Sequence, residues 1–363
     1  MKSEEYATAI HVRHWKSDRR ACRMLLLATC FMLLASCFIS CSKDEVQDGN
    51  SSGLQIVDFT RNGEPSPFEA KEDYSPIRLF LIDDENQKQG SARFNGTEWK
   101  ISGFTDTDIE TSHSYSLYGY APSEAIGGSL VVGSEVTTLT LTSLPAVNAK
   151  DICFVVGLQR TDNPSTQKDI KQGNFRFTTG STTETKNLLY LLMDHVYASV
   201  CFSMTLDPDY AQLRAIKIKS MELRGTKNTA TATITLKPND ANTDPVQSVT
   251  YSATGSSSSA LFFESADGDE LTTFNVSKAK EYTCCFLPEL SSDLTLVTTY
   301  DVYYWDRAND QIGKKIGERT AANKLPDLDV TRDQRVTLNL TVSPTYLYVL
   351  SDPDLDNPTI KIE

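Results

Sequence analysis

The chain is 363 residues long and carries a formal net charge of −13 at pH 7. Residues 1–40 contain six basic and three acidic side chains, so the rest of the chain carries a net charge of −16. So acidic a chain repels phosphate backbones and anionic lipid head groups, and we therefore expect no nucleic-acid partner. The charge is typical of an exposed protein that stays in solution.

The first segment with a clear pattern is the apolar run that follows Arg23 and ends at Cys41. It contains no charged residue, is too short for a comfortable membrane span, and ends in small residues beside a cysteine. This make-up is typical of a secretory signal. The closing cysteine resembles that of a bacterial lipoprotein signal, in which the cysteine is acylated and becomes the first residue of the mature protein.

Two cysteines compete for the lipid. Cys37 follows the more ordinary lipobox, Leu-Ala-Ser, whereas Cys41 precedes Ser-Lys-Asp-Glu and a stretch rich in Gly, Ser and Asn. The lysine and two acids behind Cys41 resemble the surface-export signal of Bacteroides-type outer-membrane lipoproteins. We predict a signal peptide at 1–40, acylation of Cys41 with Cys37 as the alternative, and a flexible tether at 41–53. An ordinary cleaved signal followed by a solvated charge cluster is the other interpretation.

Four cysteines remain after the signal region: Cys153, Cys201, Cys284 and Cys285. They form no CxxC motif and show no Cys/His spacing typical of a metal site, so no metal is expected. Cys284 and Cys285 are adjacent, so in a strand they face opposite sides and cannot easily bond to each other. We expect free, semi-buried thiols, with one disulfide among the four as the alternative.

Period-two alternation predicts β-strands along the whole mature chain. In 197–206 apolar side chains occupy every second position, and 229–236 and 335–342 alternate in the same way. Between 216 and 223 the apolar phase slips, which predicts a β-bulge. Further strands are predicted at 54–59, 77–82, 115–120, 136–141, 152–158, 174–178, 281–287 and 294–305.

The strand pattern predicts an all-β protein. Residues 186–195 also fit a helical face, but they run directly into the strand at 197–206 and are interpreted as mostly extended. Roughly 310 folded residues exceed one ordinary core, which favours two sandwiches. We place the boundary in the least patterned stretch, 178–185. This gives an N-terminal β-sandwich at 54–183 and a C-terminal β-sandwich at 184–363.

No set of residues in the sequence indicates catalysis, so we expect neither an enzyme nor a cofactor. His113 and His195 are the histidines that follow the signal, and GxSxG, HExxH and phosphate-loop motifs are absent. For His195 we favour a structural role, with its ring hydrogen-bonded at the entrance to a strand. The acidic turns at 83–85 and 267–270 lack the full spacing of a Ca²⁺ loop and are interpreted as solvated turns.

Three groups of segments carry a resemblance to a known family. They are 94–99 (FNGTEW) with 115–122 (YSLYGYAP), 194–202 (DHVYASVCF) with 215–225, and 341–348 (TVSPTYLY). Together with the lipoprotein leader, these segments resemble the fimbrillin family, the lipoprotein pilins of Bacteroides-type bacteria. The resemblance implies two tandem transthyretin-like β-sandwich domains and assembly into a surface fibre.

In that family an Arg-specific protease removes the first strand, and a strand of a neighbouring subunit fills the groove by β-augmentation. Here the strand at 54–59 is followed by Arg61 in an exposed-looking turn, which matches the expected cleavage position; a solvated turn arginine is the alternative. The donor would be the tail at 345–363. Pro353 and Pro358 each remove a ladder donor from it, so a tip or accessory subunit that receives a strand and donates none also fits.

The resemblance therefore implies a structural or adhesive subunit of a fimbria, exposed on the cell outer membrane through its lipid and polymerised with other fimbrial subunits. The alternative is a surface lipoprotein that binds glycan for nutrient uptake. It would depend on exposed aromatic side chains such as Trp99, Tyr303 and Trp305. Alternation places Tyr303 and Trp305 outside and Tyr304 in the core.

Overall fold

The computed structural model describes residues 53–61, 70–84, 86–163, 170–183, 186–239, 243–271, 279–346 and 353–362. The predicted signal peptide, Cys37 and Cys41 lie outside these ranges. Most of the described residues lie in β-strands, and the helices are one four-residue α-helix, α1 (Pro208–Ala211), and three short 3-10 helices, which confirms the all-β prediction. No helix among them is long and apolar enough to cross a bilayer.

Twenty-one strands are present among the described residues. The first eleven are β1 (Leu54–Arg61), β2 (Ile77–Asp83), β3 (Asn86–Phe94), β4 (Trp99–Ser102), β5 (Ser114–Ala121), β6 (Gly127–Val132), β7 (Thr137–Pro145), β8 (Val147–Asn148), β9 (Cys153–Thr161), β10 (Arg176–Thr178) and β11 (Asn187–His195). The other ten are β12 (Ala198–Leu206), β13 (Arg214–Gly225), β14 (Thr229–Leu236), β15 (Val246–Thr254), β16 (Ser258–Glu270), β17 (Lys280–Phe286), β18 (Thr295–Asp306), β19 (Gln311–Lys324), β20 (Arg335–Tyr346) and β21 (Pro353–Ile362).

These strands form four sheets. The first sheet has the order β1-β11-β9-β5-β2-β3-β4, with β10 paired to β5. The second has the order β15-β14-β7-β6, the third β21-β20-β12-β17-β8, and the fourth β16-β13-β18-β19. Among the described strands of the first sheet, β1 and β11 are the one parallel pair. In the third sheet, β12 and β20 are also parallel.

The sheets cross the predicted boundary between residues 183 and 184. β11 lies beyond that boundary but pairs with β9 in the first sheet, so the chain leaves this sheet between His195 and Ala198. In the second sheet, β7 pairs with β14 from the other half of the chain. Residues 50–363 form one compact unit. The two halves of the sequence therefore share sheets, and independent folding of 54–183 and 184–363 stays a prediction.

The alternation predicted from the sequence is present where a strand has one face on the core. In β14 the side chains of Ala230, Ala232, Ile234 and Leu236 are all buried, and the threonines between them are not. The predicted bulge in β13 lies between Ile218 and Ser220, where the register shifts against both neighbouring strands. The extended conformation predicted for 186–195 is that of β11.

Candidate assembly site

β1 is a terminal strand held against one edge of the first sheet. Its register runs in parallel from Leu54 opposite Asn187 to Arg61 opposite Met193, with a bulge between Ile56 and Asp58. Leu54 and Ile56 are fully buried, whereas the side chains after the bulge are half-buried or exposed. The strand is therefore bound through a few apolar side chains and one row of main-chain hydrogen bonds.

β1 also reaches the opposite end of the first sheet. The ring of Phe59 packs edge-on against Tyr74 and Trp99, with centroids 5.1 Å and 6.1 Å away. Trp99 begins β4, which is the last strand of the sheet, and is only 2 % exposed. The sheet thus curls until its two ends meet, and β1 fills the gap between β11 and β4.

Arg61 occupies a different position from the exposed turn that the sequence suggested. It is the last residue of β1 and is half-buried. Its guanidinium donates a hydrogen bond to the hydroxyl of Tyr74 and lies over that ring, 5.1 Å from the centroid. A cation is attracted to the face of a tyrosine ring, so this contact helps to hold the side chain inward. The chain that follows, 62–69, lies outside the described residues.

The C-terminal tail is paired within its own chain. β21 runs antiparallel to β20, from Ile362 opposite Leu340 to Pro353 opposite Tyr346. The ladder is interrupted between Thr359 and Asp354, the stretch that contains Pro358. Pro358 thus lies at an irregularity of the ladder, but the strand is not broken there, because β21 runs without interruption from Pro353 to Ile362. The tail forms the edge of the third sheet.

Side chains of other strands also hold this tail. The hydroxyls of Tyr210 and Tyr300 donate to the carbonyl oxygens of Leu355 and Pro358, at 2.8 Å each. Arg214 forms an ion pair with Asp356, with 2.7 Å between Nη2 and Oδ1. Ile360 is 3 % exposed, so the tail also contributes to the core. The predicted donor segment is therefore fastened to its own subunit.

The aromatic side chains that a glycan site would need are arranged differently from the prediction. Trp99 is buried, and Tyr304, predicted to face the core, is 47 % exposed. Tyr303 and Trp305 are half-buried. The reason is two register irregularities in β18, after Val302 and after Tyr303, because each extra residue in a strand turns the following side chains to the other face. The ring of Tyr304 is covered by Arg214, whose guanidinium carbon lies 4.7 Å from its centroid.

The two histidines both bind carboxylates. His113 Nε2 lies 2.7 Å from Oδ1 of Asp83, and this hydrogen bond raises the pKa of the imidazole. His195 ends β11 with its ring buried, and its Nδ1 lies 2.6 Å from Oδ2 of Asp151. Cys153, the first residue of β9, lies in the same cluster. The cluster was not predicted from the sequence, because Asp151 and Cys153 lie two positions apart and His195 lies forty-two positions further along the chain.

The four described cysteines are free and buried, as Cys153, Cys201, Cys284 and Cys285 form no disulfide. Burial raises the pKa of Cys153, Cys284 and Cys285. The interpretation of 267–270 as a solvated turn was wrong, because these residues form the end of strand β16. Asp269 accepts a hydrogen bond from Tyr282 at 2.6 Å and forms an ion pair with Lys280. These contacts use the carboxylate within the fold.

No protein-family model matches this chain, and no curated protein is significantly similar to it. Solved structures from Bacteroides species are similar in outline. A candidate cell adhesion protein from Bacteroides fragilis NCTC 9343 is 14 % identical, with 85 % of this chain and 96 % of that chain covered and a TM-score of 0.37. A fimbrial protein from Bacteroides vulgatus ATCC 8482 is 11 % identical, with 84 % and 97 % covered and a TM-score of 0.42. A structure from Bacteroides thetaiotaomicron VPI-5482, described as candidate polysaccharide-binding proteins, is 8 % identical over 80 % of this chain and 90 % of that chain, with a TM-score of 0.31. Proteins described as fimbrial or adhesive are thus among the solved structures to which this chain is similar.

Proposed function

We propose that this chain is a structural or adhesive subunit of a cell-surface fimbria, joined to its neighbour after proteolytic removal of β1. The observation that supports this most directly is the position of β1. It is the first strand of the described residues, it ends in an arginine, and it fills the gap between the two ends of a curled sheet.

Removal of β1 would change the sheet in two ways. The main-chain groups of β11 that pair with β1 would lose their partners, and the buried surface under Leu54 and Ile56 would be exposed to water. Burial of two such aliphatic side chains is worth about 4 kcal/mol as an upper estimate. An unpaired edge beside an apolar groove strongly favours capture of another strand, because each exposed backbone group then finds a partner.

The contacts of the tail indicate whether this chain donates or accepts the exchanged strand. β21 is fastened by Tyr210, Tyr300 and Arg214, so donation would first have to break these contacts and expose Ile360. We propose that the chain accepts a strand and keeps its own tail, which fits a tip or accessory position in the fibre. Deletion from Thr345 onward would damage the third sheet as well, so it does not test donation cleanly.

The decisive experiment replaces the proposed cleavage residue. In cells that carry the Arg-specific protease, Arg61→Ala is expected to leave a folded protein that keeps β1 and stays outside fibres. Arg61→Lys keeps a cation beside Tyr74 and should also resist the protease. Arg93→Ala is the matched control, since Arg93 is 61 % exposed and its ion pair with Glu124 lies on the surface. Normal polymerisation of Arg61→Ala, or recovery of wild-type fibres that still contain residues 54–61, would contradict the proposal.

The membrane anchor is a separate part of the proposal. We place the lipid on Cys41, because a lysine and two acids follow it and the first described strand begins only at Leu54. Mass spectrometry of the uncleaved Arg61→Ala protein should find acyl chains on Cys41, and Cys41→Ala should release a folded protein from the outer membrane. A lipid on Cys37, or an unmodified N-terminus, would contradict this assignment without affecting the role of β1.

A further inference from the structure

Three ligand-type side chains converge at the end of the first sheet. Oδ2 of Asp151 lies 2.6 Å from Nδ1 of His195 and 3.2 Å from Sγ of Cys153, and that sulfur lies 3.6 Å from the same Nδ1. Cys153 and His195 face each other in the β9–β11 ladder, which sets their positions. All three residues are buried.

The arrangement does not suit nucleophilic catalysis. A Cys-His-Asp triad uses one imidazole nitrogen for the thiol and the other for the carboxylate, so that a proton can pass along the chain. Here the thiol and the carboxylate both approach Nδ1. The geometry points instead to a shared centre between the three atoms.

We propose that Asp151, Cys153 and His195 together bind one divalent metal ion of the zinc class. Tetrahedral zinc holds its ligands at about 2.0–2.3 Å, which separates neighbouring ligand atoms by roughly 3.3–3.7 Å. The two distances from Sγ, 3.2 Å and 3.6 Å, are close to this range. The 2.6 Å between Oδ2 and Nδ1 must lengthen by about 0.7 Å when the ion replaces the shared proton.

The donor set selects the kind of metal. One thiolate, one imidazole and one carboxylate suit zinc and related transition metals, whereas calcium and magnesium prefer oxygen ligands alone. On binding, Cys153 loses its thiol proton and the proton between Nδ1 and Asp151 is displaced, while Nε2 carries the one proton of a neutral imidazole. The displaced protons that Nε2 does not take pass to solvent, and the ligands donate electron pairs to the ion. No ligand changes its oxidation state.

Both acidic and basic side chains lie around the cluster, the basic ones being Arg61, Arg332 and Arg335. Asp151 and Asp194 are buried carboxylates, 3 % and 2 % exposed, and Asp333 lies half-buried beside the cluster. Arg332 forms an ion pair with Asp194, with 2.6 Å between Nη1 and Oδ2, and its charge therefore neutralises that carboxylate. The ion-pair partner of Asp151 is His195, whose Nδ1 is itself a proposed ligand. A divalent ion would compensate the buried negative charge directly.

A cleft reaches the cluster from outside. It is lined by Asp151 and His195 and by residues of the third sheet and its approach, among them Ser199, Cys285, Asp333 and Arg335. Three protein ligands leave a fourth position open on a tetrahedral ion, and this small cleft has room for one water molecule there. The site thus lies where the first sheet passes into the third, and it would link β9, β11 and the chain that leads to β12.

The test uses the full chain, purified in detergent with a reductant and stripped with a chelator. One equivalent of Zn²⁺ is expected to remain bound through gel filtration, measured by elemental analysis. Co²⁺ is expected to give the near-ultraviolet absorption of a thiolate-bound ion. Cys153→Ala and His195→Gln should each weaken Zn²⁺ binding on the order of 100-fold or more. Cys201→Ala is the matched control, since it removes an equally buried thiol from β12.

Each outcome decides the proposal. Stoichiometric binding that survives in Cys201→Ala and is lost in the two ligand variants supports it. Absence of tight Zn²⁺ binding by the folded wild-type chain would overturn it and leave a hydrogen-bonded structural cluster. If the ligand variants do not fold, the wild-type Co²⁺ spectrum still decides, because absence of the thiolate band excludes Cys153 as a ligand.

Discussion

The rings of Phe59 and Trp99 pack edge to face with centroids 6.1 Å apart, although their strands lie at opposite ends of the first sheet. Ladder hydrogen bonds join β1 to β11, and this aromatic contact joins it to β4. The contact therefore helps to hold β1 in place between β11 and β4. If β1 is the strand that is exchanged, the stability of this contact sets how readily the groove opens.

Truncation of the aromatic ring should loosen β1. Phe59→Ala is expected to lower the free energy of unfolding by about 2 kcal/mol, less than for a fully buried ring because Phe59 is only partly buried. Urea unfolding measures the loss, and hydrogen exchange should show faster exchange in β1 than elsewhere. Thr60→Ala, an exposed position in the same strand, is the control and should change stability by less than about 0.5 kcal/mol. Equal effects of the two substitutions would show that the ring does not hold the strand.

Loss of one tail contact should be visible locally. Tyr210→Phe removes the hydroxyl that donates to the carbonyl of Leu355 and is expected to cost about 1 kcal/mol. Amide exchange should increase in β21 while β1 and β4 stay unchanged. Tyr303→Phe is the control, since its hydroxyl contacts Asp301 at 3.3 Å and not the tail. Unchanged exchange in β21 would mean that the ladder with β20 alone holds the tail.

Removal of one partner of the buried ion pair between Arg332 and Asp194 should lower the free energy of unfolding. Arg332→Met leaves the carboxylate of Asp194 buried without its partner and is expected to cost about 3 kcal/mol. The double variant with Asp194→Asn should recover a large part of this loss, which a double-mutant cycle measures. Arg93→Met should cost less than about 0.5 kcal/mol, because its pair with Glu124 is exposed. Additive losses in the cycle would contradict the coupling.

The carboxylate of Asp108 should make stability depend on acid pH. The hydrogen bond from Lys88, helped by the backbone N–H of Thr105 at 2.7 Å, lowers the pKa of Asp108 from 3.8 to about 2. A lowered folded-state pKa adds stability above the unfolded value of 3.8, and this contribution is lost as the pH falls toward 2. Asp108→Asn should therefore lower the free energy of unfolding at pH 6 by about 1 kcal/mol, since Lys88 is partly exposed and screened.

The measurement is urea unfolding of wild type and variant across the acid range. The difference between them should shrink between pH 4 and pH 2. Asp306→Asn is a useful comparison, because its carboxylate caps an exposed turn far along the chain and also has a lowered pKa, held mainly by Asn309. A difference for Asp108→Asn that is constant from pH 6 to pH 2 would show that the ion pair with Lys88 is not its cause.

Strand positions could be predicted where one face of a strand lies on the core. β12, β14 and β20 alternate in sequence because their apolar side chains must all point inward. β19 was missed, since none of its side chains is buried and its sequence offers no apolar period. The predicted orientation of Tyr304 was wrong, because the register irregularities in β18 are local changes of the backbone that a period-two pattern of side chains does not reveal.

The sequence by itself determined the all-β class, most strand positions, the bulge in β13 and the family resemblance, because these depend on neighbouring residues along the chain. Only the tertiary structure decided that β1 lies beside β11, that β7 pairs with β14, and that the tail returns to β20. It alone brought Asp151 and Cys153 to His195, and Phe59 to Trp99. Such contacts join residues far apart in the chain, and they follow from the packing of whole sheets, which no local pattern specifies.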